Sequence, residues 1–233
     1  MIKDKVILIL GGTGDIGSAI AKSLAQKGAS VCSHGFKGEY AADVRDEGEL
    51  SRLITKIISQ FNRLDVVINS LVTPIKIASL DKKTWQDFLD QFSVQLKAGV
   101  DLLKYVVPQM QKQQGGQIIN ILSSVVAGEP PQSYADYITL KYALLGFSKC
   151  LARELKAYNI LVNCVSPDFV KTKLTQIFPE KVAEIIAFKN PTKRLTTPED
   201  VARVVSDLIL DTSKNTGRNI FIRGGEVFEP QVI

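Results

Sequence analysis

The chain alternates between short apolar runs and longer stretches in which apolar residues recur every three to four positions. The runs lie at 6–10, 30–33, 65–69, 117–122, 160–165 and 219–222, and they are rich in the β-branched residues that suit strands. A shorter run lies near 40–44. The stretches between them predict helices near 15–27, 46–61, 83–114, 135–157 and 198–210. Apolar strands alternating with helices are the pattern of a parallel sheet covered on both faces, so the expected fold is α/β, doubly wound, with one domain over 1–233. Local signals agree. In Thr197-Pro198-Glu199-Asp200 a capping hydroxyl precedes a proline and two acids, a helix start; Gly28 stops the first helix. One connection breaks the pattern. Residues 35–39 alone separate His34 from the run at 40–44, whereas parallel strands are normally joined by a dozen or more residues, so a loop or single turn is expected where a helix would stand.

Composition removes several function classes. At 233 residues the chain suits one full-sized domain. No apolar run reaches the roughly 18 residues of a membrane span, and the run at 6–10 leads into glycines rather than a cleavage site. The expectation is therefore a cytoplasmic protein with no export signal and no membrane partner. Cys32, Cys150 and Cys164 are far apart, which argues against a disulfide framework or a zinc site. His34 is the sole histidine, without a Gly-x-Ser-x-Gly elbow, so neither a Ser-His-Asp triad nor a metal centre is expected. The net charge of +5 is scattered rather than clustered, so no nucleic-acid partner is expected.

Two motifs carry chemistry. Gly12, Gly14 and Gly17 fit G-x-G-x-x-G between the first strand and the first helix. Glycines let the backbone approach a pyrophosphate, and the helix N-terminus offers free N–H groups with a partial positive charge. Gly11, Thr13, Gly14, Asp15 and Ile16 are the cofactor candidates of this turn. The second motif is Tyr137 with Lys141 four residues later, on one face of a helix one turn apart. Reducing a ketone takes hydride at carbon and a proton at oxygen. A nearby ammonium would draw a phenol down from its ordinary pKa near 10 and make it a usable general acid/base. A serine hydroxyl would meet the developing charge on the substrate oxygen.

Cofactor preference depends on the end of the second strand, where a carboxylate would bind the ribose hydroxyls of NAD and repel a 2′-phosphate. The stretch Cys32-Ser33-His34-Gly35-Phe36-Lys37 has no acid, although Glu39 lies close. Lys37 and His34 are the candidates to meet a phosphate. NADP(H) is therefore the favoured cofactor and NAD(H) the alternative.

The glycine turn, Asp43-Val44, Leu64-Asp65-Val66-Val67-Ile68-Asn69, Gly116-Gln117-Ile118-Ile119-Asn120, Tyr137-x-x-x-Lys141, Val162-Asn163-Cys164-Val165-Ser166-Pro167 and Pro198-Glu199-Asp200-Val201-Ala202 occur in this order. In these pieces the chain resembles the short-chain dehydrogenase/reductase superfamily over roughly residues 4–228, in its compact single-domain branch, like the 3-oxoacyl-carrier-protein reductases. The resemblance implies a Rossmann-like sheet of about seven strands. It also implies an NAD(P)(H)-dependent oxidoreductase that interconverts a carbonyl and a secondary alcohol, with Tyr137 as general acid/base. Lys141 would hold the nicotinamide ribose and Asp43 the adenine amino group. Val44 would pack beside the adenine ring, and Asn69 would lie near the adenosine ribose. Pro167 and Val170 would back the nicotinamide, and Thr172 would reach its carboxamide or the phosphates. The catalytic serine is Ser123, counted along the strand, since insertions fit more easily in the loop 125–133; counting back from Tyr137 gives Ser124 as the alternative. Residues 173–197 would be the substrate lid, and a homodimer or homotetramer would form through the fourth and fifth helices.

Four places depart from that family's pattern. Asp15 replaces a glycine, Ser70-Leu71-Val72 replaces Asn-Ala-Gly, Gln95 stands for the asparagine that anchors a relay water, and Asp168 replaces the glycine after Pro167. They keep open an alternative, an NAD(P)-binding protein with little or no turnover. Six basic residues between Lys171 and Arg194 suggest an anionic small-molecule substrate; a solvated surface is the competing reading.

Overall fold

A computed structural model describes residues 1–229 of the chain. The strands are β1 (Val6–Leu10), β2 (Ser30–Ser33), β3 (Val66–Asn69), β4 (Gly116–Ile121), β5 (Ile160–Pro167), β6 (Asn219–Arg223) and β7 (Glu226–Phe228). They form one seven-stranded sheet in the order β2-β1-β3-β4-β5-β6-β7. All neighbours are parallel except β6 and β7, which form an antiparallel hairpin. The helices are α1 (Asp15–Gln26), α2 (Glu47–Phe61), α3 (Trp85–Phe92), α4 (Ala98–Lys112), α5 (Ala135–Leu155), α6 (Glu180–Lys189) and α7 (Pro198–Leu210).

The apolar runs explain this arrangement. β1 reads Val-Ile-Leu-Ile-Leu and is buried at every position, as a central strand covered on both sides must be. Val6, Leu8 and Leu10 face one core with residues of α2, α4 and α5, including Ile54, Leu102 and Leu151. Ile7 and Ile9 face the opposite core with α1 and α7, through Ile20, Leu24, Val201 and Val205. Period-2 alternation thus feeds two cores from one strand.

Three differences from the sequence pattern bear on the site. Residues 40–44 do not form a strand; among the described residues one parallel bridge, Gly35 to Ala41, remains of it. Tyr40, Ala42 and Val44 still alternate inward, but they bury themselves beneath α2 as a loop. A connection of five residues cannot carry a crossover, so the chain folds flat against the sheet edge. The seventh strand is instead β7. Second, the long helix near 83–114 is interrupted by a π turn at Ser93–Lys97, between α3 and α4. Such turns release backbone groups from the regular ladder. Third, the segment 173–197 is not a bare loop but contains α6.

The capping signals read from the sequence are realised. Thr197 Oγ1 accepts from the Asp200 N–H at 3.2 Å, and Asp200 Oδ2 accepts from the Thr197 N–H at 2.9 Å. Among the described residues no helix is long and apolar enough to cross a membrane, and no group of three or more His, Cys, Asp or Glu is arranged to hold a metal ion.

Candidate active site

The glycine turn joins β1 to α1 at the sheet's C-terminal edge, where open α/β sheets bind ligands. Gly11 has φ +73°, and a Cβ there would stand 2.6 Å from the Ser70 carbonyl oxygen, so the β1 and β3 ends approach in a way only glycine allows. A Cβ at Gly17 would stand 2.2 Å from the Gly11 oxygen, which seats α1 directly on the turn. Gly14 begins α1 without any side-chain cap. The first N–H groups of that helix therefore remain available to an anion. Thr13 and Gly14 are exposed, and Ile16 packs on the core shared with α7. This fits the pyrophosphate of a dinucleotide.

His34 does something other than expected. Its Nδ1 accepts from the Gly11 N–H at 3.2 Å, and its Nε2 lies 3.0 Å from the Ala42 carbonyl oxygen and donates to it. The ring is buried, and burial pushes its pKa down, so it is a neutral brace between the glycine turn and the 35–44 loop. With both nitrogens taken, His34 has none left for a phosphate. Lys37, on the same loop, is exposed. Asp43 is likewise engaged. Arg45 grips its carboxylate through Nε at 2.9 Å and Nη2 at 2.6 Å, which holds the Asp43 pKa below the usual range. Val44 is buried beside it. Asn69, at the end of β3, donates to the Gln95 carbonyl oxygen at 3.2 Å and accepts from the Leu71 N–H at 3.3 Å. It thereby ties the strand end to the π turn.

The structure brings Tyr137, Lys141, Ser123 and Gln95 together. Lys141 Nζ lies 5.5 Å from the centre of the Tyr137 ring. It is buried, donating to Gln95 Oε1 at 2.8 Å and to the Ile121 carbonyl oxygen at 3.0 Å. Burial pulls its pKa down to about 7. The Tyr137 phenol is pushed up by burial, with the Ser123 hydroxyl opposing the shift through a hydrogen bond. With no cofactor bound the phenol keeps its proton, the state of a general acid. Ser123 Oγ accepts from the Val125 N–H at 3.4 Å, while Ser124 starts the 3-10 turn Ser124–Val126.

Gln91 and the pair Lys83–Asp136 were not legible in the sequence. Gln95 Nε2 donates to Gln91 Oε1 at 2.9 Å, and Gln91 Nε2 donates to the Pro74 carbonyl oxygen at 3.3 Å, so two amides back the lysine in series. The residues are four apart, a helical spacing that marks a shared face, but nothing in it distinguishes a buried chain from a surface one. Lys83 Nζ meets Asp136 Oδ1 at 2.6 Å with side chains 1% and 2% exposed. This buried ion pair fastens the start of α5, one residue before Tyr137.

Pro167 ends β5, Val170 pairs with Thr196 in an isolated bridge, and Thr172 caps a 3-10 turn at Lys173–Thr175. Phe178 packs against Tyr134 and Phe169 at centroid distances of 5.5 and 5.6 Å, which closes the segment over the start of α5. Three of the basic residues in this stretch are spent locally. Lys171 pairs with Glu180 at 2.8 Å, Lys193 reaches the Phe188 carbonyl oxygen at 2.8 Å, and Arg194 pairs with Asp200 at 2.6 Å.

A parallel α/β sheet with an uncapped helix behind a glycine turn, and a half-buried Tyr137 beside a buried Lys141 on the helix after β4, defines a dinucleotide-binding oxidoreductase. The chain belongs to the short-chain dehydrogenase/reductase family of NAD(P)-dependent oxidoreductases: residues 12–226 match the family described as Enoyl-(Acyl carrier protein) reductase. It is 32% identical to 3-oxoacyl-[acyl-carrier-protein] reductase FabG of Thermotoga maritima over 97% of this chain and 99% of that protein. It is 33% identical to Dehydrogenase/reductase SDR family member 4 of Bos taurus, over 97% of this chain and 88% of that one. Among solved structures it resembles ElxO with NADP bound, with a TM-score of 0.86 and 27% identity over 95% and 98% of the two chains. The 3-ketoacyl-(acyl-carrier-protein) reductase of Brucella melitensis complexed with NADH shares the fold, with a TM-score of 0.88 and 24% identity over 97% and 99%.

Proposed function

We propose that the protein reduces a small carbonyl compound to a secondary alcohol, and catalyses the reverse, with Tyr137 as general acid/base. The observation that carries this reading is the buried Lys141 held between Gln95 and Ile121 with its Nζ 5.5 Å from the centre of the Tyr137 ring. Gly11 to Ile16 and the α1 terminus hold the dinucleotide pyrophosphate, Lys141 the nicotinamide ribose, and Pro167, Val170 and Thr172 line the nicotinamide side. Asn69 and Val44 border the adenosine. Asp43 reaches an adenine amino group only by sharing its carboxylate with Arg45. A nicotinamide dinucleotide bound there supplies or accepts the hydride. The chain's residues handle the proton: Ser123 hydrogen-bonds the carbonyl oxygen, and Tyr137 passes its phenol proton to that oxygen as negative charge grows. Residues 173–197 cover the substrate.

NADP(H) is the preferred cofactor, supported by the absence of a carboxylate at Cys32–Lys37, by the exposed Lys37, and by the NADP bound in the similar ElxO structure. A cytoplasmic homo-oligomer is the proposed state, supported by exposed Val100 on α4 and Tyr142 on α5; light scattering at a monomer mass would remove it. The central test is a cofactor-absorbance screen of neutral and anionic carbonyls and alcohols. Tyr137→Phe should lower turnover about 10²- to 10⁴-fold while dinucleotide binding persists. Turnover surviving in Tyr137→Phe would overturn the mechanism, and a preference for neutral substrates would remove the anionic class.

A further inference from the structure

Two carboxylates grip the segment that covers the site, one near each end. At the front, the Lys173 N–H donates to Asp15 Oδ2 at 2.7 Å, a contact between residues 158 positions apart. Asp15 opens α1 immediately behind the glycine turn, so the segment's front is tied to the helix terminus. At the rear, Asp168 Oδ2 accepts from Asn190 Nδ2 at 2.8 Å, and its Oδ1 accepts from the Thr196 hydroxyl. The Asp168 N–H in turn donates to the Ile222 carbonyl oxygen at 2.9 Å, which fixes the carboxylate to β6.

The two attachments are unequal. Asn190 and Thr196 are 3% and 1% exposed. Asn190 also donates to the Arg194 carbonyl oxygen at 2.7 Å, the Thr192 hydroxyl donates to the Gly224 carbonyl oxygen at 2.6 Å, and Thr196 pairs with Val170. The rear is a buried, multiply bonded block. The front meets α1 through one polar bond, made by an exposed lysine's backbone; beyond it the segment is held by the Thr175 hydroxyl on the Val170 carbonyl oxygen at 2.8 Å and by Phe178 on Tyr134. The Asp15–Lys173 bond borders an open groove of about 550 Å³ lined by Ser18, Lys22, Lys171, Gln176 and Glu199. Free space lies beside the front tie, where Asp15 and Lys173 both line the groove.

We propose that Asp168 and Asp15 are positioning residues of the lid, Asp168 as its fixed post and Asp15 as its releasable catch. When the Asp15–Lys173 bond opens, residues 171–189 swing about the block 190–197, and the site admits or releases its ligands from the α1 side. A carboxylate suits the catch because it accepts strongly from a backbone N–H while one bond remains easy to break. The inference rests on the reading of 173–197 as a lid.

Limited trypsin digestion with mass-spectrometric mapping tests it without any need for turnover, so its failure is separable from failure of the catalytic reading. In Asp15→Ala, cleavage after Lys171, Lys173 and Lys181 should quicken about five- to tenfold, the size of one lost hydrogen bond of ordinary strength. Cleavage after Lys193 and Arg194 should stay at the wild-type rate. Asp15→Asn, whose amide oxygen still accepts, should stay within about twofold of wild type at every site, which separates the tie from the charge at the α1 terminus. Asp168→Ala should expose the sites after Lys189, Lys193 and Arg194 as well; if it fails to fold, Asp168→Asn should show the same order more weakly. Wild-type cleavage at Lys173 and Lys181 in Asp15→Ala, or equal acceleration at the front and rear sites, would overturn the proposal.

Discussion

The half of this molecule that carries the glycine turn and the half that carries Tyr137 and Lys141 use their polar residues in opposite ways. In the first, from β1 to the loop before α2, the ligand-facing chemistry is backbone, and the conspicuous side chains serve the protein itself: His34 braces Gly11 and Ala42, and Arg45 grips Asp43. In the second, from the π turn to β5, polar side chains are buried and converge on Lys141 and Tyr137. A glycine turn can bind an anion through N–H groups that any sequence possesses, provided no Cβ intrudes. Proton transfer needs a particular phenol held near a particular ammonium. Substitutions in the first half should therefore change stability and nucleotide affinity together, and those in the second should change turnover with binding largely kept.

The strongest way to break this contrast is at Gln95. Gln95→Leu removes the acceptor for Lys141 and leaves Gln91 without its donor, at a cost of roughly 1–3 kcal/mol per orphaned buried group. The expected outcome is a fall in kcat of about tenfold or more with little change in cofactor dissociation constant, and partial recovery in Gln95→Asn. An unchanged kcat would show that the amide chain is mere packing.

A second test uses pH. Lys141 titrates near 7 in the folded protein and at its ordinary value of 10.5 when unfolded. Between these values the unfolded chain binds the additional proton, so this residue's contribution to stability rises as pH climbs from about 7 toward 10.5. The melting temperature of wild type should gain on that of Lys141→Met across this interval, measured calorimetrically in the absence of cofactor. A constant difference would mean that the lysine keeps its proton in the fold.

The smallest expected effect separates Lys37 from His34. Lys37→Glu should weaken NADP(H) binding about two- to fivefold and leave NAD(H) unchanged, as suits one exposed charge. His34→Leu should lower stability and weaken both cofactors equally. A selective loss of NADP(H) affinity in His34→Leu would restore the histidine to a phosphate-binding role.

Much of the fold was legible because strand burial on two faces and helix amphipathicity leave separate periods in the sequence. β1, β3 and β5 are readable as apolar runs, and α7 announces itself by Thr197, Pro198 and Asp200. The strand expected at 40–44 has the right alternation, but alternation states only which residues go inward, and a loop satisfied it equally well. Tyr137 and Lys141 were readable from their spacing. Gln91, the Lys83–Asp136 pair and the engagement of His34 were not, since each depends on partners that only the closed fold brings within hydrogen-bond reach.

By itself, then, the order of residues determined the alternation of strands and helices, the glycine turn and the phenol–ammonium pair, because these arise from contacts among near neighbours or from periodic burial. The tertiary structure alone decided that His34 is a brace, that Gln95 and Gln91 back Lys141, and that Asp15 and Asp168 bond to the segment 173–197. Hydrogen-bond partners 20 to 160 positions away, and the loss of water around buried groups, exist only once the sheet and helices have closed on one another.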